Sequence, residues 1–140
     1  MNTVIFPRYT LVAFVLSTLS LFAVATAFAA EKPKRVLVVS TTAGFRHTSI
    51  EVGNKVIADL ARQSGDFAVD IINVQAQSPE FRGDDGKPDK AKVTEANRQA
   101  LADKMSAAGL KQYDAVIFNN TTGDLPLPDR EAFLAWIKSG

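Results

Sequence analysis

No cysteine occurs anywhere in the chain. That absence excludes disulfides, thiolate metal sites and a cysteine nucleophile from these residues. An excess of charge of one sign is also lacking, since 16 Lys and Arg stand against 15 Asp and Glu for a net charge of +1. Nucleic-acid binders carry a clustered basic surface, so no nucleic-acid partner is expected. Histidine is nearly absent: His47 is the single one. The aspartates of Asp84-Asp85-Gly86-Lys87 do not fall at the spacing of a calcium-binding hand, and no metal site is predicted. With 140 residues there is room for one domain.

The one long apolar run lies at the start. Arg8 is the sole charged side chain before Glu31, and from Leu11 onward the residues are almost wholly apolar. Ala27-Phe28-Ala29 places small residues at −3 and −1 of a cleavage after Ala29, and Glu31-Lys32-Pro33-Lys34 restores charge just beyond. A basic start, an apolar stretch and an A-x-A site predict a secretory signal peptide over residues 1–29. The competing reading is an uncleaved anchor. Either reading places the rest of the chain in the periplasm or outside the cell, with the membrane touched only through this segment.

What is present is organised around Val36-Leu37-Val38-Val39-Ser40-Thr41-Thr42-Ala43-Gly44-Phe45-Arg46-His47. Four unbroken apolar residues, three of them valine, predict a strand over Arg35–Ser40 buried on both faces, as in a parallel sheet covered by helices. Thr48 and Glu51 stand at capping-box spacing and open a helix over Ser49–Ser64. Its Val52, Val56, Ile57 and Leu60 form the expected core-facing stripe, and Gly65 its stop. Phe67–Val74 reads as a second strand. A long polar passage follows from Gln75 to Lys92, in which Glu80, Phe81 and Arg82 are placed where a lid can form. A second helix is expected over Val93–Ala108 with Gly109 at its end. A third strand covers Tyr113–Phe118, and a last helix presents Phe133, Leu134, Trp136 and Ile137 as its buried face. The alternation of strands and helices predicts a doubly wound α/β fold. Three such strands make a narrow sheet, so a larger domain continuing past the last helix is expected.

In such sheets ligands bind beyond the carboxyl ends of the strands. The loop after the first strand carries Arg46 and His47, the candidate catalytic pair, beside Thr42, Gly44 and Phe45 as candidate substrate contacts. An imidazole near its ordinary pKa can give or take a proton at neutral pH, and a guanidinium offers several donors to a hydroxyl-rich or anionic group. The first and third strands are expected to be neighbours, so Asn119, Asn120, Thr121, Thr122 and Gly123 should face the same crevice. Their amides and hydroxyls suit sugar hydroxyls, although Asn and Thr also serve as plain turn residues. A flavodoxin-type phosphate loop is disfavoured, because Phe45, Arg46 and His47 are bulky where a phosphate cradle needs small residues. No cofactor is named by these residues.

Taken together, Arg35 to Ile50, Tyr113 to Asp124 and Phe133 to Gly140 resemble, in order, three parts of ThuA-like (trehalose-utilisation) domains. The resemblance implies a flavodoxin-like three-layer α/β/α sandwich of the class I glutamine amidotransferase-like group. It also implies a role in trehalose or keto-sugar metabolism, with a small-molecule carbohydrate as partner. Exported members of that family often carry the label secreted glycosyl hydrolase, and family domains extend past this length to a Gly-Ile-His-type strand. Two function classes stay open: a sugar-converting enzyme with His47 as acid/base, and a non-catalytic carbohydrate-binding or interaction module on the same fold. The oligomeric state is not indicated.

Overall fold

The sheet is built outward from the most apolar stretch of the chain. In the computed structural model, which describes residues 31–140, strand β1 (Lys34–Val39) lies between β2 (Phe67–Ile72) and β3 (Ala115–Phe118), and both pairings are parallel. The signal-peptide reading of residues 1–29 falls outside the described residues. Val36, Leu37, Val38 and Val39 are all buried, as a central strand flanked on both edges and covered on both faces requires. The register sets Leu37 beside Asp70 and Val116, and Val39 beside Ile72 and Phe118. The flavodoxin-like α/β/α arrangement read from the sequence is therefore the one observed, with β1 and β3 adjacent.

Alternation along β1 assigns the helices to faces. Leu37 and Val39 join Leu101, Met105, Leu110 and Tyr113 in the core beneath α2 (Lys90–Ala102), α3 (Ala107–Leu110) and α4 (Arg130–Lys138). The opposite face carries α1 (Ser49–Ser64), which packs along β2. Gly65 ends α1 in the left-handed conformation at φ 72°, its N–H bonded to the Ala61 carbonyl, where a side chain would be disfavoured.

Several expectations are corrected. The stripe Val52, Val56 and Leu60 does not face the core: these residues are 64%, 49% and 53% exposed, while Ile50, Asn54 and Ala61 are the buried ones. The inward side carries Ile50, Asn54 and Ala61, and Asn54 accepts from the Ser40 hydroxyl at the end of β1. The Thr48–Glu51 pair makes no capping box. Thr48 forms no side-chain cap bond, and Glu51 pairs with Arg46 instead at 2.6 Å, since a guanidinium offers a carboxylate a stronger bond than a neutral N–H does. The second helix is two: α2 stops at Ala102, and Ser106 caps α3 by accepting from the Gly109 N–H. Gly109 lies inside that turn, buried against the carbonyl of Asp103, rather than ending a long helix. On α4, Phe133 and Trp136 pack against the core, but Leu134 and Ile137 are exposed.

At the amino end of the sheet one carboxylate gathers three partners. Asp70 accepts from the Tyr113 hydroxyl at 2.7 Å, from Arg35 at 2.9 Å, and pairs with Lys104 at 3.3 Å. The Arg35 guanidinium also lies over the Tyr113 ring, 5.1 Å from its centroid. The tyrosine hydrogen bond, aided by Lys104 and Arg35, holds the Asp70 carboxyl below its ordinary value. Burial, and then Asp70 itself, pushes the Tyr113 phenol up to about 12. A depressed carboxylate stabilises the fold above its unfolded pKa and loses that contribution as pH falls through the folded value. Tyr113→Phe should cost about 0.5–1.5 kcal/mol at neutral pH, the range for a hydrogen bond whose acceptor is partly screened by solvent. The deficit should shrink as Asp70 protonates in acid, and denaturant titrations of both proteins across pH 2–7 would check this.

Candidate functional site

Ser40, Thr41 and Thr42 continue β1 beyond its last apolar residue and remain buried. A buried hydroxyl without a partner is costly, and each of the three finds one on a different element. The Ser40 hydroxyl donates to Asn54 Oδ1 on α1, and the Thr41 hydroxyl to Asn97 Oδ1 on α2. The Thr42 hydroxyl donates to the Thr122 carbonyl at 2.8 Å in the exit loop of β3. Asn97 returns a bond from Nδ2 to the Thr42 carbonyl at 3.0 Å. Asn119 Nδ2 donates to Asn54 Oδ1 and to the Ile50 carbonyl, both at 3.0 Å.

The exit loops of β1 and β3 are thereby fastened together. The N–H groups of Ala43 and Gly44 both donate to the Thr122 carbonyl, at 3.0 and 2.9 Å, and the Thr122 hydroxyl donates to the Phe45 carbonyl at 2.7 Å. The loops approach so closely that a Cβ on Gly44 would stand 2.7 Å from Thr122 Oγ1. A Cβ on Gly123, at φ 76°, would stand 2.8 Å from the Gly44 nitrogen.

Two cavities open on this platform. The larger is a crevice of about 520 Å³ lined by Thr42, Gly44, Gln77, Lys87, Lys90 and Thr94 among others, within the roughly 300–1,000 Å³ usual for small-molecule sites. One wall is the β1 exit loop. The other comes from the passage after β2 and the first turns of α2. Next to it a hollow of about 210 Å³ is lined by Arg46, His47, Thr48, Glu51 and Gln77. Gln77 borders both.

His47 is exposed in this hollow, its ring edge-on to the Phe45 ring with centroids 4.9 Å apart. Arg46 is different: its side chain is only 8% exposed and its donors are engaged. Nη1 donates to the carbonyls of Ser40 and Val74 at 3.1 and 3.2 Å, and Nη2 to Glu51 and Asn73 at 2.6 and 2.7 Å. The guanidinium thus ties the carboxyl ends of β1 and β2 to the start of α1.

The structure brings Thr42, Gly44, Phe45, Thr122 and Gly123 into mutual contact and sets Arg46 and His47 side by side. Asn119 is buried in the polar network, and Asn120 is exposed with φ 53°, donating to Asn119 Oδ1 at 3.2 Å. The β3 exit loop lines neither cavity; it supports the crevice wall from behind. Sequence reasoning did not find Asn54, Asn97, Gln77, Lys87 or Lys90. The asparagines carry one detectable signal, a polar residue at helical spacing among apolar neighbours. Among the described residues no group of three or more His, Asp or Glu side chains converges as a metal centre requires.

Asn97→Ala would leave the Thr41 hydroxyl and the Thr42 carbonyl without their partner. The expected cost is about 1–3 kcal/mol for each buried group left unsatisfied. Comparison of denaturation midpoints would check it, with Gln99→Ala on the exposed side of α2 as the neutral reference.

The match to a family model, described as ThuA, trehalose utilisation, spans residues 35–140. No curated protein and no solved structure matches the chain.

Proposed function

The chain belongs to the ThuA, or trehalose-utilisation, family, and from that premise we propose an exported protein that converts a carbohydrate, trehalose or a keto-sugar, with His47 as acid/base. The family carries a role related to trehalose utilisation; the reaction, the substrate and the export belong to the proposal. One observation carries it: the sole histidine is exposed at the carboxyl end of β1, in a hollow that adjoins a sugar-sized crevice through Gln77.

In this reading a keto-sugar lies in the crevice against Thr42, Gly44 and Gln77, with the carbon beside its carbonyl toward His47. The imidazole takes the proton from the carbon beside the carbonyl. The electron pair of that C–H bond moves onto the carbonyl oxygen as an enediolate, and the proton returns to the same or the neighbouring carbon. Phe45 restrains the imidazole ring. Arg46 acts as a positioning residue through Ser40, Val74, Asn73 and Glu51, and Asn119 to Gly123 support the Thr42–Phe45 wall. His47→Ala in the full protein should lower kcat by about a hundredfold to ten-thousandfold, as removal of a general base does, with KM little changed. Steady-state kinetics on trehalose and keto-sugars would measure it, and unchanged turnover would remove His47 from the chemistry.

The second reading, a non-catalytic carbohydrate-binding module, is favoured by the full engagement of Arg46 and the burial of Asn119, which leave few free polar groups beside His47. Sugar binding by calorimetry without turnover of any sugar tested would select it. Export is checked separately. Protein recovered from the envelope or medium of its native host should begin at Ala30 by mass analysis, whereas a retained residue 1 would indicate an anchor.

A further inference from the structure

The crevice has a charge asymmetry that the proposed chemistry at His47 does not use. Lys87 and Lys90 both stand on its outer wall, and no Asp or Glu lines it. Among the described residues neither lysine lies within ion-pair distance of a carboxylate, unlike Lys34, Lys55 and Lys104. The acids nearby in sequence, Asp84, Asp85 and Asp89, lie outside the crevice lining. Asp85 accepts from the Lys87 N–H at 3.0 Å, and Asp89 accepts from the N–H groups of Ala91 and Lys92 as the cap of α2.

The backbone beneath these lysines is held in place. Arg82 and Pro88 form an antiparallel bridge. The Gly83 N–H donates to the Lys87 carbonyl at 2.8 Å, and the Asp89 N–H to the Phe81 carbonyl at 2.7 Å. Lys90 stands in the first turn of α2, whose Asn97 anchors it to the floor of the site. Opposite the lysines lie Thr42 and Gly44 on the wall locked to β3, and Gln77 and Thr94 add neutral polar contacts suited to hydroxyls. The site thus pairs a hydroxyl-binding side with a cationic rim, at a volume that holds a sugar with one substituent.

We propose that the crevice takes a carbohydrate bearing an anionic group, a carboxylate or a phosphate, which faces Lys87 and Lys90 while the sugar hydroxyls face Gln77 and Thr94. This rests on the reading of the crevice as the carbohydrate site and names the class of sugar it selects. Each exposed ion pair contributes about 0.2–1 kcal/mol. Two together give a preference of about twofold to thirtyfold over a neutral sugar, by the usual relation of free energy to affinity. The preference weakens as salt screens the lysines.

The test is calorimetric titration of the full protein at low and high salt with glucose, trehalose, glucuronate and a glucose phosphate. The expected result is tighter binding of glucuronate or the glucose phosphate than of glucose at low salt, with the gap closing at high salt. A preference for glucuronate identifies the carboxylate source, and one for the phosphate ester the phosphate source. The Lys87→Gln/Lys90→Gln variant should bring anionic sugars to the affinity of glucose. The charge-matched variant Lys32→Gln/Lys111→Gln, at the amino end of the sheet, should keep the preference. Equal affinity for neutral and anionic sugars, or a preference that survives loss of Lys87 and Lys90, would overturn the inference and leave the carbohydrate site standing. No binding of any of the four sugars would overturn both.

Discussion

Ser40, Thr41 and Thr42 stay buried where a chain leaving a sheet usually meets water, and this constraint sets much of the rest. Three consecutive hydroxyls in a dry place need three acceptors. Alternation and the turn of the loop point them at three different elements. α1 answers with Asn54, α2 with Asn97 and the β3 exit loop with Thr122. The carboxyl end of β1 is thus the point where both helical layers and the neighbouring strand are registered against one another. Apolar contacts lower in the sheet supply the bulk of the burial, but they are non-directional. The hydroxyls fix how far each element slides along β1.

Arg46 and His47 show how adjacent residues of similar chemical promise are put to different uses. The arginine turns in and spends its donors on two backbone carbonyls, a carboxylate and an amide. The histidine turns out and meets only the Phe45 ring among aromatic neighbours. A buried guanidinium requires such a set of acceptors, and those acceptors come from β1, from the end of β2 and from α1. The exposed imidazole thus follows directly on a residue bonded to β1, the end of β2 and α1.

The fold was legible in the sequence along the central strand and the first helix. The Val36–Val39 run, the adjacency of β1 and β3, the start of α1 at Ser49 and its stop at Gly65 all follow from local pattern. Legibility failed where a polar residue took an inward place. Helical periodicity counts Val52, Val56 and Leu60 as core, and it has no means of knowing that Asn54 is required by Ser40 across the chain. The Thr48–Glu51 spacing says helix start correctly, but the carboxylate's partner is Arg46, a choice made by charge rather than by spacing. Of the candidate site, the position of His47 and the Thr42–Phe45 loop beyond the end of β1 could be read from the strand alone. Gln77, Lys87 and Lys90 could not, because a polar passage of that length gives no sign of which residues fold back over the sheet.

The two walls of the crevice differ in how freely they can change. On the β1 side, Gly44 and Gly123 leave no room for a side chain, and the Thr42 and Thr122 oxygens are shared between loops. A substitution there disturbs the sheet end itself. On the other side, Gln77, Lys87, Lys90 and Thr94 are exposed side chains on backbone that other residues hold. Changes to these four side chains alter the lining of the crevice while leaving the backbone bonds beneath it in place. The four side chains are therefore replaceable without disturbing the Thr42–Thr122 junction, whereas Gly44 and Gly123 are not.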